Sequence, residues 1–82
     1  DLTTLQVYPN PIGDFIIINV IEDIVNGKYI LSTVSGVTLE QGIIPGNENK
    51  VFIHTSHLKS GVYLLNLMIN GRNSRIVKLI KY

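Results

Sequence analysis

With 82 residues the chain makes one domain, small enough that only about 60% of its unfolded surface can be buried on folding. Hydrophobic residues at 45% and charged residues at 16% argue against a disordered tail, and a formal charge of +1 leaves no case for the dense basic patch of a nucleic-acid binder. Cys 0 removes disulfides, thiolate metal sites and thiol catalysis together, without identifying the compartment.

Read for period, the chain offers seven short apolar runs divided by turn residues, and no stretch keeps the i, i+3, i+4, i+7 spacing of an amphipathic helix. The first predicted strand is Leu5 to Tyr8. It stops where Pro9 and Pro11 fix their own φ and push Tyr8 and Asn10 into extended conformations, a stiff turn that lasts to Asp14. The second is Phe15 to Ile21. Its alternation sets Ile16, Ile18 and Val20 on one face and Phe15, Ile17 and Asn19 on the other; Asn19 marks the outward side, so Phe15 and Ile17 are expected to be partly exposed.

Asn26-Gly27 breaks the chain before a third strand, Tyr29 to Val34, and Ser35-Gly36 before a fourth, Val37 to Gln41. After a break over Pro45 to Asn49 comes the fifth, Lys50 to His54. Lys59 to Gly61 then turn into the sixth, Val62 to Ile69, in which Tyr63, Leu65, Leu67 and Ile69 share a face and Asn66 marks the solvent side. Asn70-Gly71 tolerates the positive φ of a tight hairpin and leads into the seventh, Ser74 to Ile80. Arg72, Arg75, Lys78 and Lys81 make that last run weakly basic, in the manner of solvated side chains.

Seven strands at this rhythm predict an all-β fold, a seven-stranded antiparallel immunoglobulin-like β-sandwich. Its expected core comprises the inward sets of the second and sixth strands with Leu5, Val7, Leu31, Leu39, Val51, Ile53 and Leu58. The spacing Leu58, Gly61, Tyr63 is that of a tyrosine corner, in which the hydroxyl bends back to the main chain upstream and Leu58 plugs the space beneath.

A search for chemistry finds none. The carboxylates Asp1, Asp14, Glu22, Asp23, Glu40 and Glu48 are scattered, and the adjacent pair Glu22-Asp23 points apart on an extended chain. His54 and His57 have no third metal ligand nearby, and Ser56 beside His57 lacks a group to orient the base. Gly42, Gly46 and Gly61 are too far apart for a phosphate loop. No catalytic residue, metal site, cofactor or small-molecule substrate is expected. No apolar stretch approaches the ~20 residues of a membrane-spanning helix. No secretory signal opens the chain; if the protein is exported its signal is expected upstream of Asp1, and Asp1 rather than Met at the first position fits a fragment or a processed piece.

Tyr8-Pro9-Asn10-Pro11 followed by the alternation of Ile16 and Ile18, the glycine turn between Leu31 and Leu39, Leu58-Lys59-Ser60-Gly61-Val62-Tyr63-Leu64-Leu65, and the basic-aliphatic ending Arg75-Ile76-Val77-Lys78-Leu79-Ile80-Lys81 occur in that order. In this the chain resembles the C-terminal sorting domain of type IX secretion, also called the Por secretion system. It departs from the family at Val37, where many members carry a basic residue after the glycine. The resemblance implies a sandwich attached behind a cargo. That cargo crosses the periplasm, is directed through an outer-membrane translocon, and reaches the cell surface or the medium after a surface sortase removes the domain. A physical mechanism consistent with the residues is recognition of a folded surface that exposes Pro9, Asn10, Pro11, Lys78 and Lys81, with Leu58, Gly61, Tyr63 and Gly36 holding its geometry.

The rival reading is an immunoglobulin- or fibronectin-like accessory module, or a carbohydrate binder with Tyr8, Tyr29, Phe52 or Tyr82 as sugar platforms. Unpaired sheet edges also leave a homodimer open, through strand pairing or strand swapping.

Overall fold

The computed structural model describes residues 5–20, 26–45 and 50–82, the side chains of 72–74 excepted. Among these residues the chain folds as seven strands and no helix: β1 (Leu5–Tyr8), β2 (Phe15–Val20), β3 (Gly27–Thr33), β4 (Thr38–Ile44), β5 (Lys50–His54), β6 (Gly61–Ile69) and β7 (Arg72–Lys81). They form two antiparallel sheets, ordered β1-β2-β5 and β4-β3-β6-β7. This is consistent with the expected immunoglobulin-like sandwich. The predicted end of the second strand at Ile21 and the break over residues 46–49 lie outside the described residues, as do Asp1, Glu22, Asp23 and Glu48.

The core is built from alternate residues of both sheets. Ile16, Ile18 and Val20 of β2 face Leu65, Leu67 and Tyr63 of β6, with Leu31, Ile44, Ile53 and Leu79 filling the layer between them. Phe15 on the other side of β2 stays exposed and Ile17 half-buried, the outward face that Asn19 marks. In β3 the buried positions are Gly27, Tyr29, Leu31 and Ser32, so Tyr29 is core and not the exposed sugar platform of the rival reading.

Two expectations fail in β4. Leu39 is not core but 41% exposed, because the register slips between Leu31 and Ser32 opposite it and β4 lies at the edge of its sheet. Ile44, at the other end of the strand opposite Gly27, is the β4 residue that enters the core. The strand also runs through Gly42 to Ile44 rather than ending at Gln41, because Gly42 is where the Tyr29 ring lies down. The two are paired in register, and a Cβ at Gly42 would stand 2.7 Å from the Tyr29 hydroxyl oxygen. That hydroxyl donates to Glu40 Oε2 at 3.0 Å. Burial, then the hydrogen bond and charge of Glu40, raise the Tyr29 pKa above its ordinary value.

Gly42→Ala is therefore expected to lower stability by about 1–3 kcal/mol, the usual cost of overpacking. Chemical denaturation measures the loss, and a change in the near-ultraviolet tyrosine signal would report displacement of Tyr29. An unchanged midpoint would show that the ring moves aside freely.

Candidate recognition surface at the β7 edge

β7 is long because the turn before it is tight. Asn70 and Gly71 have φ of 57° and 77°, both left-handed, and the hairpin pairs β6 with β7 from Ile69 opposite Arg72 to Gly61 opposite Lys81. Among the described residues nothing further pairs with β7 as a strand, so its outer edge would offer free backbone groups at the end of the sheet. The segment after β1 meets that edge.

The peptide bonds Tyr8-Pro9 and Asn10-Pro11 are both cis. Between the prolines the Asn10 carboxamide behaves as a strand residue would: Nδ2 donates to the Lys78 carbonyl at 3.1 Å, and Oδ1 accepts from the Ile80 amide at 3.1 Å. Beyond it the Ile12 amide donates to the Ile80 carbonyl at 2.8 Å, and the Ile12 side chain is buried in the core. Three hydrogen bonds thus satisfy the part of the edge that carries Lys78 and Ile80.

A buried threonine fixes the next stretch. Thr55 is 0% exposed; its hydroxyl donates to the Gly13 carbonyl at 2.7 Å and its amide to the Asp14 carbonyl at 2.8 Å. The Thr55 carbonyl accepts from the Leu58 amide at 3.0 Å and from Lys81 Nζ. At the other end of β7, Arg75 Nη1 donates to the Leu5 carbonyl at 2.9 Å and so ties β7 to β1 across the two sheets.

The residues singled out for recognition divide accordingly. Pro9, Asn10 and Pro11 are exposed and lie along β7 beside Lys78, whose side chain is also exposed. Lys81 is half-buried and holds the Thr55 carbonyl, so it is bound into the fold as Lys78 is not. Tyr63 is 8% exposed and its hydroxyl donates to the Lys59 carbonyl at 2.5 Å, with Leu58 packed against the core. Gly61 has φ of +156°, a conformation that side chains rarely adopt. Gly36, at φ +97°, closes the β3–β4 hairpin, its amide donating to the Thr33 carbonyl at 3.0 Å. That hairpin lies at the same end of the sheet as Gly61 and Lys81, separated from β7 by β6.

Ile12, Thr55 and Arg75 are the positions that reading by residue type passes over. Ile12 had a signal, an apolar residue enclosed in a turn. Thr55 had none, since a threonine between loop histidines looks solvated. Among the described residues no group of three or more His, Asp or Glu side chains could hold a metal ion. His54 rests its ring against Phe15 at 4.6 Å and His57 is exposed.

Comparison with curated proteins gave no match. A family model described as the secretion system C-terminal sorting domain matches residues 6–82, from within β1 to the last residue. The match covers both the proline turn and the strand it clasps, and the chain belongs to the type IX (Por) secretion C-terminal sorting domain family, a sorting signal and not a catalytic family.

Proposed function

We propose that this domain is the carboxy-terminal address of a larger secreted protein, directing an amino-terminal cargo from the periplasm across the outer membrane through the type IX translocon. A surface sortase then removes it, leaving the cargo at the cell surface or outside. The domain is read as a folded surface. Pro9, Asn10, Pro11 and Lys78 form that surface, while Lys81, Leu58, Gly61, Tyr63 and Gly36 hold its shape.

The observation that carries this reading is the Asn10 clasp. It joins the first and last of the family's motifs, 68 residues apart, into one exposed patch that exists only in the folded state. A translocon that engages this patch therefore selects a folded domain. The accessory or sugar-binding alternative has less behind it. Tyr29 is buried, and Phe15 and Phe52 meet edge to face, 85° apart in plane, which makes no flat platform for a sugar ring.

The test is a reporter carrying an ordinary signal peptide with or without this chain behind it, expressed in a type IX-competent cell. The fused reporter is expected at the surface or in the medium and the bare reporter in the periplasm. Periplasmic retention of both would sink the proposal.

A further inference from the structure

The two sheets end in four edge strands, β1, β5, β7 and β4, and three of them are guarded. β7 is covered at Lys78 and Ile80 by Asn10 and Ile12, and carries the charges of Arg75 and Lys78 along its length. β1 is four residues long, stops at Pro9, and has its Leu5 carbonyl taken by Arg75. β5 is five residues long and carries exposed Lys50 and His54 at its ends. Short length, proline, charge and cover are the usual protections of a sheet edge.

Among the described residues β4 has neither short length, proline nor cover, and its only irregularity is the register slip opposite Leu39. It runs for seven residues without proline, lysine or arginine, and among the described residues it pairs with β3 alone. Its single charge, Glu40, is engaged by the Tyr29 hydroxyl. Leu39, Gln41 and Ile43 alternate along it and are exposed, Ile43 to 75%. An edge of this kind is a template for another strand.

We infer that the occupant is a second copy of this chain, pairing β4 with β4 antiparallel about a two-fold axis at Gln41 and joining two four-stranded sheets into one of eight. The self-complementarity of the strand argues for it. With Gln41 facing its own copy, Glu40 faces Gly42 and meets no like charge, while Leu39 faces Ile43 twice. Apolar cross-strand pairs and an amide pair at the axis are favourable contacts, and a chain of net charge +1 repels its copy little.

The experiment is sedimentation of the 82-residue chain over a concentration series reaching about 1 mM, the range of a weak complex. The wild type is expected to pass from monomer to dimer. Gln41→Lys and Gln41→Glu each set like charges across the axis and are expected to weaken association about fivefold or more at low salt. An equimolar mixture of the two is expected to restore the dimer as a mixed pair. Both substitutions are at an exposed position, and unchanged melting temperatures would confirm the fold. A wild type that stays monomeric overturns the inference and leaves the edge to a strand of another protein. A dimer that survives both single variants overturns it equally, in favour of another face or an exchanged strand.

Discussion

Removing residues 75–82 from a cargo fusion is expected to abolish export outright, but that loss alone would not reveal how the domain is read. The deletion takes away Leu79, which is fully buried, together with Val77, the partners of Asn10 and the Arg75 tie to β1. The truncated chain should fail to fold, since removal of a single buried leucine already costs about 2–5 kcal/mol. Recognition and folding separate at the two lysines. Lys78 projects its side chain into solvent, and replacing it with alanine is expected to change stability by no more than about 0.5 kcal/mol. If the translocon contacts its ammonium group, the loss of one charge-assisted hydrogen bond, about 1.5 kcal/mol, should lower export roughly tenfold. Lys81→Ala behaves differently: it leaves the Thr55 carbonyl with the Leu58 amide alone, and the expected signature is a lower melting temperature. Export of the Lys78→Ala fusion at the wild-type level would remove Lys78 from the recognition surface.

Asn10 lies between these cases. Its carboxamide makes two hydrogen bonds to the backbone of β7, at about 0.5–1.5 kcal/mol each in net terms, so Asn10→Ala should lower both stability and export. The comparison with Lys78→Ala then shows how much of the export defect follows from a loosened edge.

Periodicity makes most of the sandwich legible because burial on one face leaves a period-two trace. Leu5–Tyr8 and Lys50–His54 match the predicted strands residue for residue, and Asn19 and Asn66 mark the outward faces of β2 and β6. Asn70-Gly71 is a local instruction, complete in two residues, and forms the hairpin it encodes. β4 departs from its expected bounds because its controlling contact is not local. Gly42 looks like a strand breaker until the Tyr29 ring is seen above it, and the slip at Leu31/Ser32 turns Leu39 outward. The clasp is hidden for the same reason. Composition shows a stiff turn around Asn10, but a side chain that stands in for a strand residue against Lys78 and Ile80 leaves no periodic trace. Asn10 and Lys78 can be named separately, and only the fold shows them in contact.

The largest effect on stability from one side chain is expected at Tyr63. It stands in the inner strand β6 between Thr33 of β3 and Leu79 of β7, at the end of the four-stranded sheet where its buried ring closes the core, and its hydroxyl pins the loop that enters β6. Tyr63→Ala removes a buried ring, at a cost of about 3–5 kcal/mol. A domain of 82 residues has about 4–12 kcal/mol in total, so that single change consumes a large part of its stability. Tyr63→Phe keeps the ring and loses only the bond to the Lys59 carbonyl. Because Lys59 is exposed, water can replace the hydroxyl, and the expected cost is about 1 kcal/mol. Urea unfolding of the two variants distinguishes the contributions. A phenylalanine variant as weak as the alanine one would place the stabilisation in the hydroxyl, whereas one equal to wild type would show that the corner bond adds nothing. With losses of these sizes, the phenylalanine variant is expected to fold and, under the proposed function, to export a fused cargo, and the alanine variant to do neither reliably at the growth temperature. Under the proposed function, that outcome would mean that the tyrosine affects sorting only by holding the strand beside which Lys78 is displayed.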